Sequence, residues 1–393
     1  MTLTGQGLIV LLSVVAVALP GIGVAAWSHV PGGHILAGTQ RVAIVVICQL
    51  AALLLFGAVV NDYGYFYTSW HQLRGAAAQG LELHTYGDAT PALAAHHTNP
   101  STSRHIPSSL DPASSGAVQV LGHNGGDLAQ WQQHGRLESV TVIGAVSGLK
   151  EHAFVYLPPQ YYQPAYATTR FPAVEVMTGY PGDDVSLVRR LHYPDILQRA
   201  ILAKQMQPTV LVMLRPAVTF PRDTECTDVP GGPQVLTFLA ADVPAQTANA
   251  YRVQPTRWGV MGDSTGGYCA TKIAMTHPLQ FPAAVSLSGY FFALHDNTTG
   301  SLWGGSADAR HTNDLFWRMQ HLPPPPVSLL IATAKTEKGD DGYRQNVDFG
   351  RIVRAPTRAT MLVESTGGHN FSTWIRELPP ALHWLDSRIG AER

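Results

Sequence analysis

Two long stretches near the N-terminus are apolar at almost every position, after which the hydrophobic pattern changes character twice along the chain. Residues 7–27 (GLIVLLSVVAVALPGIGVAAW) and 42–60 (VAIVVICQLAALLLFGAVV) contain no charged side chain. About 20 apolar residues in a helix cross the roughly 30 Å hydrocarbon layer of a bilayer, so each stretch predicts a membrane span. A cleaved signal peptide would carry basic residues ahead of its apolar segment. Here no Lys or Arg precedes the first run, and the second follows at once. Apolarity on every face, together with Pro20, fits lipid better than the one-sided surface of a core helix. Tyr63, Tyr65, Phe66, Tyr67 and Trp70 then form the kind of aromatic group found at the membrane–water interface. The loop between the spans carries Arg41, and Arg74 follows the second span. If Arg41 marks the cytoplasmic loop, the C-terminal region lies outside the cell.

Residues 76–135 are rich in Ala, Gly, Ser, Thr, His and Pro and show little periodicity, which predicts a flexible tether. Its histidines (His84, His96, His97, His105) form no i, i+4 pair with a nearby carboxylate on a plausible helix, so no metal site is expected from them. From residue 136 onward, short apolar runs alternate with helix-length segments. Strands are predicted at 139–146, 152–157, 173–177, 209–214, 257–261, 283–287, 328–333 and 360–364, and helices near 184–204, 233–250, 265–277, 341–354 and 371–386. Pro208, Pro278, Pro282 and Pro326 punctuate several ends. This alternation predicts an α/β fold, a mostly parallel sheet covered by helices on both faces. The expected organisation is a membrane anchor at 1–75, a linker at 76–135 and a catalytic domain at 136–393.

Composition narrows the partners. The net charge is −1 and 13% of residues are charged, so no basic field for nucleic acid exists. Of three cysteines, Cys48 lies in an apolar run, which leaves Cys226 and Cys269 as the plausible pair.

Gly262-Asp263-Ser264-Thr265-Gly266 lies between the apolar run 258–261 and the helix-compatible run 268–275. A G-x-S-x-G pattern on a strand-to-helix turn presents a nucleophilic serine, because only glycine tolerates the close backbone approach such a turn imposes. Ser264 is therefore the candidate nucleophile. A serine hydroxyl needs a base within hydrogen-bond reach and a third group to orient that base. When the partners follow in the order serine, acid, histidine, His369 is best placed, in a loop between the last predicted strand and the last helix. His277 ends the helix after the elbow, His295, His311 and His321 precede the next strand, and His383 sits mid-helix. For the acid, Glu337 follows the strand at 328–333, with Asp340 and Asp341 behind it. Donors for a developing oxyanion are expected from the Thr265 N–H and from the loop 178–182 after the strand at 173–177, where Tyr180 supplies an N–H and Pro181 has none. No cofactor or metal is expected.

Together, Tyr-Leu-Pro-Pro (156–159), Thr-Gly-Tyr-Pro-Gly (178–182), Gly-Asp-Ser-Thr-Gly-Gly-Tyr (262–268), Leu-Ser-Gly-Tyr-Phe (287–291) and Gly-Gly-His-Asn-Phe (367–371) with Trp374 resemble the esterase D / mycolyltransferase group of α/β-hydrolases over residues 136–388. The resemblance implies an α/β-hydrolase fold, a triad of Ser264, Glu337 and His369, and an oxyanion loop at 178–182. Many actinobacterial members also carry membrane spans ahead of an extracytoplasmic domain, which implies that placement here. The mycolyltransferases have an Asp-Gly-Leu-Arg type of loop where this chain has Thr-Gly-Tyr-Pro. The expectation is a serine-dependent ester hydrolase acting on an acyl or aminoacyl ester, with a cell-envelope lipid as a reasonable substrate. Alternatives on the same fold are an acyltransferase that passes the acyl group to a sugar hydroxyl and a non-catalytic carbohydrate-binding surface protein. The presence of both Ser264 and His369 argues against the last.

Overall fold

The N-terminal apolar runs fold as two helices, α1 (Gln6–Trp27) and α2 (His34–Gly64), each with a stretch long and apolar enough to cross a membrane, Gly7–Trp27 and Leu36–Asn61. The computed structural model describes residues 6–29, 34–64, 81–86, 116–339 and 342–390. Contacts divide the chain into two compact units: Met1–Gly80 with Ala334–Gly339 and Glu364–Thr373, and Leu81–Thr333 with Asp340–Val363 and Trp374–Arg393. In the first unit α1 packs on α2 through Gly23, where an added Cβ would meet Ile44 Cγ2 at 2.7 Å. Arg41 belongs to α2 and not to a loop. Its guanidinium lies 5.4 Å from the centre of the Trp27 ring, and no helix breaker between His34 and Arg41 is strong enough to stop the helix short of it. The interfacial group at Tyr65, Phe66, Tyr67 and Trp70, and Arg74 beyond it, lie outside the described residues.

The second unit is built on a ten-stranded sheet, in the order β1-β10-β9-β8-β7-β5-β6-β4-β3-β2. Its strands are β1 (Leu81–Tyr86), β2 (Ala117–His123), β3 (Arg136–Ile143), β4 (Lys150–Leu157), β5 (Ala173–Met177), β6 (Val210–Leu214), β7 (Gly259–Asp263), β8 (Ala283–Leu287), β9 (Ser328–Ala334) and β10 (Arg358–Glu364). Strands β6, β5, β7, β8 and β9 run parallel, whereas β2, β3 and β4 are antiparallel and join through β4 to β6. The difference is written in the side chains. Every residue of β5, β6, β7 and β8 is buried, as expected of parallel strands covered on both faces. In contrast, β3 alternates buried and half-buried positions along its length, the mark of a strand with one covered face.

Two of these strands lie in the segment expected to be a tether. β1 and β2, together with the short helix α3 (Leu128–His134), fall within 76–135. β2 pairs with β3 from Ala117↔Ile143 to His123↔Glu138, with an irregularity between Val120 and Gly122. An edge strand of this kind borrows its order from the ladder it joins, which weak alternation in its own residues does not announce. α3 did carry a signal: Asp127 and Gln130 form a reciprocal capping box. His96, His97 and His105 lie outside the described residues.

Most of the other elements match their expected positions within a few residues. The segment 184–204 divides into α4 (Asp184–Arg189) and α5 (Tyr193–Leu202). Pro194 in the first turn of α5 lacks the N–H that a continuous helix would need, and His192 turns the chain with a φ of 53°. The run Val235–Thr237, Phe238–Asp242, Val243–Ala250 forms α6, with a π turn at its middle. Helix α7 (Thr265–Thr276) follows β7. Two short helices, α8 (Ala307–Thr312) and α9 (Leu315–His321), were not expected, and are capped by the Ser306 and Asp314 side chains. Helices α10 (Tyr343–Ile352) and α11 (Phe371–Asp386) complete the chain.

The order around β5 positions the site. From β5 the chain moves to β6 on one side, then returns to β7 on the other. β5 and β7 therefore flank the topological switch point of the sheet, where ligands of open α/β sheets bind at the carboxyl ends of the strands. The loop 178–182 leaves from β5, and Ser264 from β7.

Part of the core beyond β8 is aromatic. Phe349 is fully buried, stacks on Phe291 with ring centres 3.9 Å apart, and meets Phe316 edge-on at 5.3 Å. Phe349→Ala should destabilise the fold by about 3–5 kcal/mol, read as a lowered denaturation midpoint; a midpoint equal to wild type would show that this stack is dispensable.

Candidate active site

Ser264 occupies the turn between β7 and α7 with φ 54° and ψ −122°, a conformation disfavoured for any residue with a Cβ. The surrounding backbone enforces it. A Cβ on Gly262 would stand 2.5 Å from the Met177 carbonyl oxygen and from the Gly266 carbonyl carbon, and one on Gly266 would stand 2.3 Å from Met177 O. The glycines two residues either side of Ser264 are thus required by contact with the end of β5. The Ser264 amide donates to the Leu287 carbonyl at 2.9 Å, so its neighbour strand β8 also anchors the turn. Ser264 remains half-buried.

The loop after β5 packs directly on this turn. A Cβ on Gly179 would lie 2.8 Å from Ser264 Cβ, and the Gly179 amide donates to Asp263 Oδ2 at 2.9 Å. Asp263, 1% exposed, therefore ties the oxyanion-loop candidate to the end of β7. Sequence reasoning missed it, although its place within G-D-S was the available signal. The Tyr180–Pro181 peptide is cis, and the Tyr180 hydroxyl donates to the Pro221 carbonyl at 2.7 Å. Thr265 begins α7, where first-turn N–H groups have no intrahelical acceptor. Among the described residues, no hydrogen bond engages the Tyr180 or Thr265 amide. Free N–H groups at a helix N-terminus attract developing negative charge.

In the other unit, Glu337 and His369 meet. Glu337 Oε1 lies 3.2 Å from His369 Nδ1, with the Glu337 side chain fully buried and that of His369 12% exposed. Glu337 follows β9, and His369 lies between β10 and α11. Their segments are laced together. Lys335 N donates to Glu364 O at 2.9 Å, Thr336 Oγ1 donates to Gly367 O at 2.6 Å, and Gly367 N returns a bond to Thr336 Oγ1 at 2.9 Å. The Glu337 carboxylate also accepts from the Ala334 amide at 3.4 Å. Asp340 and Asp341, the other acids considered, lie outside the described residues.

Of the five remaining histidines after Ser264, four have structural partners. His277 Nδ1 is 2.9 Å from Thr276 Oγ1, and burial lowers its pKa. His311 and His321 stack on Trp317 at 4.8 and 4.7 Å. His383 Nδ1 is 2.9 Å from Gln205 O, and His295 is exposed.

A second serine–histidine–aspartate arrangement was not visible in the sequence, since its members come from β3, β4 and α4. Ser139 Oγ lies 2.8 Å from His152 Nε2, and His152 Nδ1 bonds Asp184 Oδ2. The relay resembles a catalytic one, yet the backbone around Ser139 does not. β3 is paired with β2 on one side and β4 on the other, so its amides are engaged in ladders and no helix N-terminus follows the serine. Oxyanion donors separate the two serines, and they favour Ser264.

Cys226 and Cys269 form a disulfide with a Cα separation of 5.8 Å. No group of three or more His, Cys, Asp or Glu residues suited to a metal ion occurs among the described residues.

Comparison with known proteins matches the chain to a family. The Esterase family matches residues 146–385. An uncharacterized protein of Corynebacterium glutamicum is 22% identical over 252 residues, covering 61% of this chain and 58% of its own length. The MPT51 antigen of Mycobacterium leprae is 35% identical over 75 residues, which are 19% of this chain and 25% of that antigen. The chain thus spans less than two thirds of the length of these curated relatives. Among solved structures, an S-formylglutathione hydrolase from Agrobacterium tumefaciens superposes with a TM-score of 0.55 at 14% identity, covering 69% of this chain and all of its own (100%). A ferulic acid esterase superposes with a TM-score of 0.54 at 17% identity over 66% of this chain and 100% of its own. At such identities the structures share the α/β-hydrolase fold.

The elbow's packing can be tested without reference to activity. Gly266→Ala should destabilise the protein by at least about 1–3 kcal/mol, because its Cβ meets backbone that cannot step aside. Gly122→Ala, in open space on β2, should leave the melting temperature unchanged. Equal melting temperatures for the two variants would contradict the close approach of Gly266 to Met177.

Proposed function

The chain belongs to the esterase family, and from that premise we propose that it is a membrane-anchored serine ester hydrolase that works through an acyl-enzyme. The observation that carries this reading is the strained Ser264 turn at the α7 N-terminus, with Gly179 packed on its Cβ and two unengaged amides at Tyr180 and Thr265. The Glu337–His369 pair supports it.

In the proposed reaction, Ser264 Oγ attacks the acyl carbonyl carbon while His369 Nε2 takes the hydroxyl proton. Glu337 accepts the Nδ1–H, holding the tautomer and stabilising the imidazolium. The carbonyl oxygen becomes an oxyanion and accepts from the Tyr180 and Thr265 amides, a type of donor worth about 10²–10³-fold in kcat. Collapse breaks the ester C–O bond, and His369 returns the proton to the departing alcohol. Water, deprotonated by the same histidine, then releases the acid and regenerates Ser264.

The organisation proposed with this activity is an anchor at 1–75 and a catalytic domain that includes the strands β1 and β2, with the domain outside the cytoplasm. The two apolar helices support the anchor, and the buried Cys226–Cys269 disulfide supports the location, because disulfides persist in oxidising compartments. An ester of the cell envelope suits an enzyme held at the bilayer.

A fluorophosphonate probe should label the wild-type protein, and Ser264→Ala should abolish labelling; labelling that persists in the variant would remove the serine mechanism. Glu337→Gln should lower ester turnover by about 10²–10⁴-fold, whereas Asp340→Asn and Asp341→Asn should stay near wild type. The reverse pattern would reassign the acid. For topology, an alkaline phosphatase fused after Arg393 should be active, since that enzyme needs an oxidising compartment to form its disulfides. Activity only from a reporter restricted to the cytoplasm would overturn the extracytoplasmic placement.

A further inference from the structure

Behind Thr265 runs a buried polar chain that the proposed reaction does not use. Thr265 Oγ1 lies 3.0 Å from the Tyr290 hydroxyl, which in turn lies 2.8 and 2.9 Å from the two carboxyl oxygens of Glu225. Thr265, Tyr290 and Glu225 are 4%, 2% and 1% exposed. Tyr290 is held flat against Tyr268, ring centres 5.2 Å apart, and the Tyr268 hydroxyl donates to the Asn313 carbonyl at 2.7 Å. The Tyr290 hydroxyl therefore has a fixed direction.

The loop carrying Glu225 is fastened to α7 at several points. The disulfide joins Cys226 to Cys269 on the first turns of the helix. Lys272 Nζ donates to the Glu225 carbonyl at 2.9 Å and to Thr227 Oγ1 at 3.1 Å. The Glu225 amide donates to Asp223 Oδ1 at 2.9 Å. Glu225 and Cys226 have φ values of 49° and 44°, conformations that L residues hold only where their surroundings over-determine them. A loop held so firmly against the helix that begins at Thr265 delivers a carboxyl group to one place.

The protonation of that carboxyl sets the direction of the chain. Burial pushes Glu225 well above the usual carboxylate range and Asp223 adds to the effect, against the Tyr290 hydrogen bond and Lys272. Burial likewise draws Lys272 down to about 7. A neutral Glu225 donates to the Tyr290 oxygen, which frees the tyrosine proton for Thr265 Oγ1. A charged Glu225 would take that proton and add negative charge behind a site where an oxyanion forms.

We propose that Glu225 and Tyr290 are positioning residues for the oxyanion site: through the Thr265 side chain they fix the direction in which the Thr265 amide points. The inference rests on the Ser264 reading above. Because the effect is exerted in the transition state, loss of the chain should appear in kcat and leave KM alone.

The test uses the full chain in detergent and hydrolysis of a p-nitrophenyl ester, with kcat expressed per active site titrated to completion by fluorophosphonate. Tyr290→Phe and Thr265→Val should each lower kcat per titrated site by about tenfold to a hundredfold, less than the loss of an oxyanion donor itself. The double variant should be no worse than either single one, since both break one chain. Glu225→Gln, which preserves a neutral donor of the same shape, should stay within about threefold of wild type, whereas Glu225→Ala should match Tyr290→Phe. A role confined to folding would reduce the number of titratable sites and leave kcat per site unchanged, and that result in Tyr290→Phe would overturn the proposal. Glu225→Gln as damaged as Glu225→Ala would overturn it too. Persistence of labelling in Ser264→Ala would instead overturn the Ser264 reading; an unlabelled Ser264→Ala beside an unimpaired Tyr290→Phe sinks this inference alone.

Discussion

The structure turns on one tight approach, the end of β5 against the turn that follows β7. The Met177 carbonyl oxygen stands where the Cβ of Gly262 or Gly266 would be, and Ser264 between them adopts a φ of 54°. Such a conformation costs about 1–3 kcal/mol and is held because β5, β7 and β8 are locked in parallel register on both sides. The buried Asp263 carboxylate extends the lock, holding the loop after β5 through the Gly179 amide. The rigidity of the sheet centre is thus handed to a serine and to the amides around it.

One group of buried polar side chains in this unit is organised about the same helix. The loop carrying Glu225 and Cys226 is tied to α7 by a covalent bond and by Lys272. A charged lysine and a carboxyl group inside the protein are expensive unless their hydrogen bonds are met. Here the bonds run to backbone carbonyl, threonine and tyrosine, and both pKa shifts favour the neutral forms. The contrast with Ser139, His152 and Asp184 is instructive. A serine–histidine–aspartate relay whose serine lies within an antiparallel ladder has the proton path without amides to receive charge, so a relay alone does not make a nucleophile.

The parallel strands were legible because burial on both faces writes continuous apolar runs, and β5 and β8 begin and end where those runs do. β3 lies three residues earlier than its apolar run suggested, because pairing with β2 and β4 sets its ends. β1 and β2 were not legible at all, since edge strands need a partner more than a pattern. The break between α4 and α5 was written in Pro194, and the inclusion of Arg41 in α2 reflects how poorly a helix start is marked when no strong breaker directly precedes the first residue of the apolar run.

By itself the sequence determined the two apolar helices, the α/β alternation, the elbow glycines and the serine between them, because each depends on residues near in the chain and on side-chain size or polarity. Chain order also singled out Glu337 and His369, whose 3.2 Å contact is a tertiary fact. Only the folded chain decided that Gly179 packs on Ser264, that Asp263 holds the loop, that Cys226 pairs with Cys269, and that Glu225 reaches Thr265 through Tyr290. Those contacts join residues from 25 to more than 80 positions apart. Their energy depends on distance in space, which no local period or motif records.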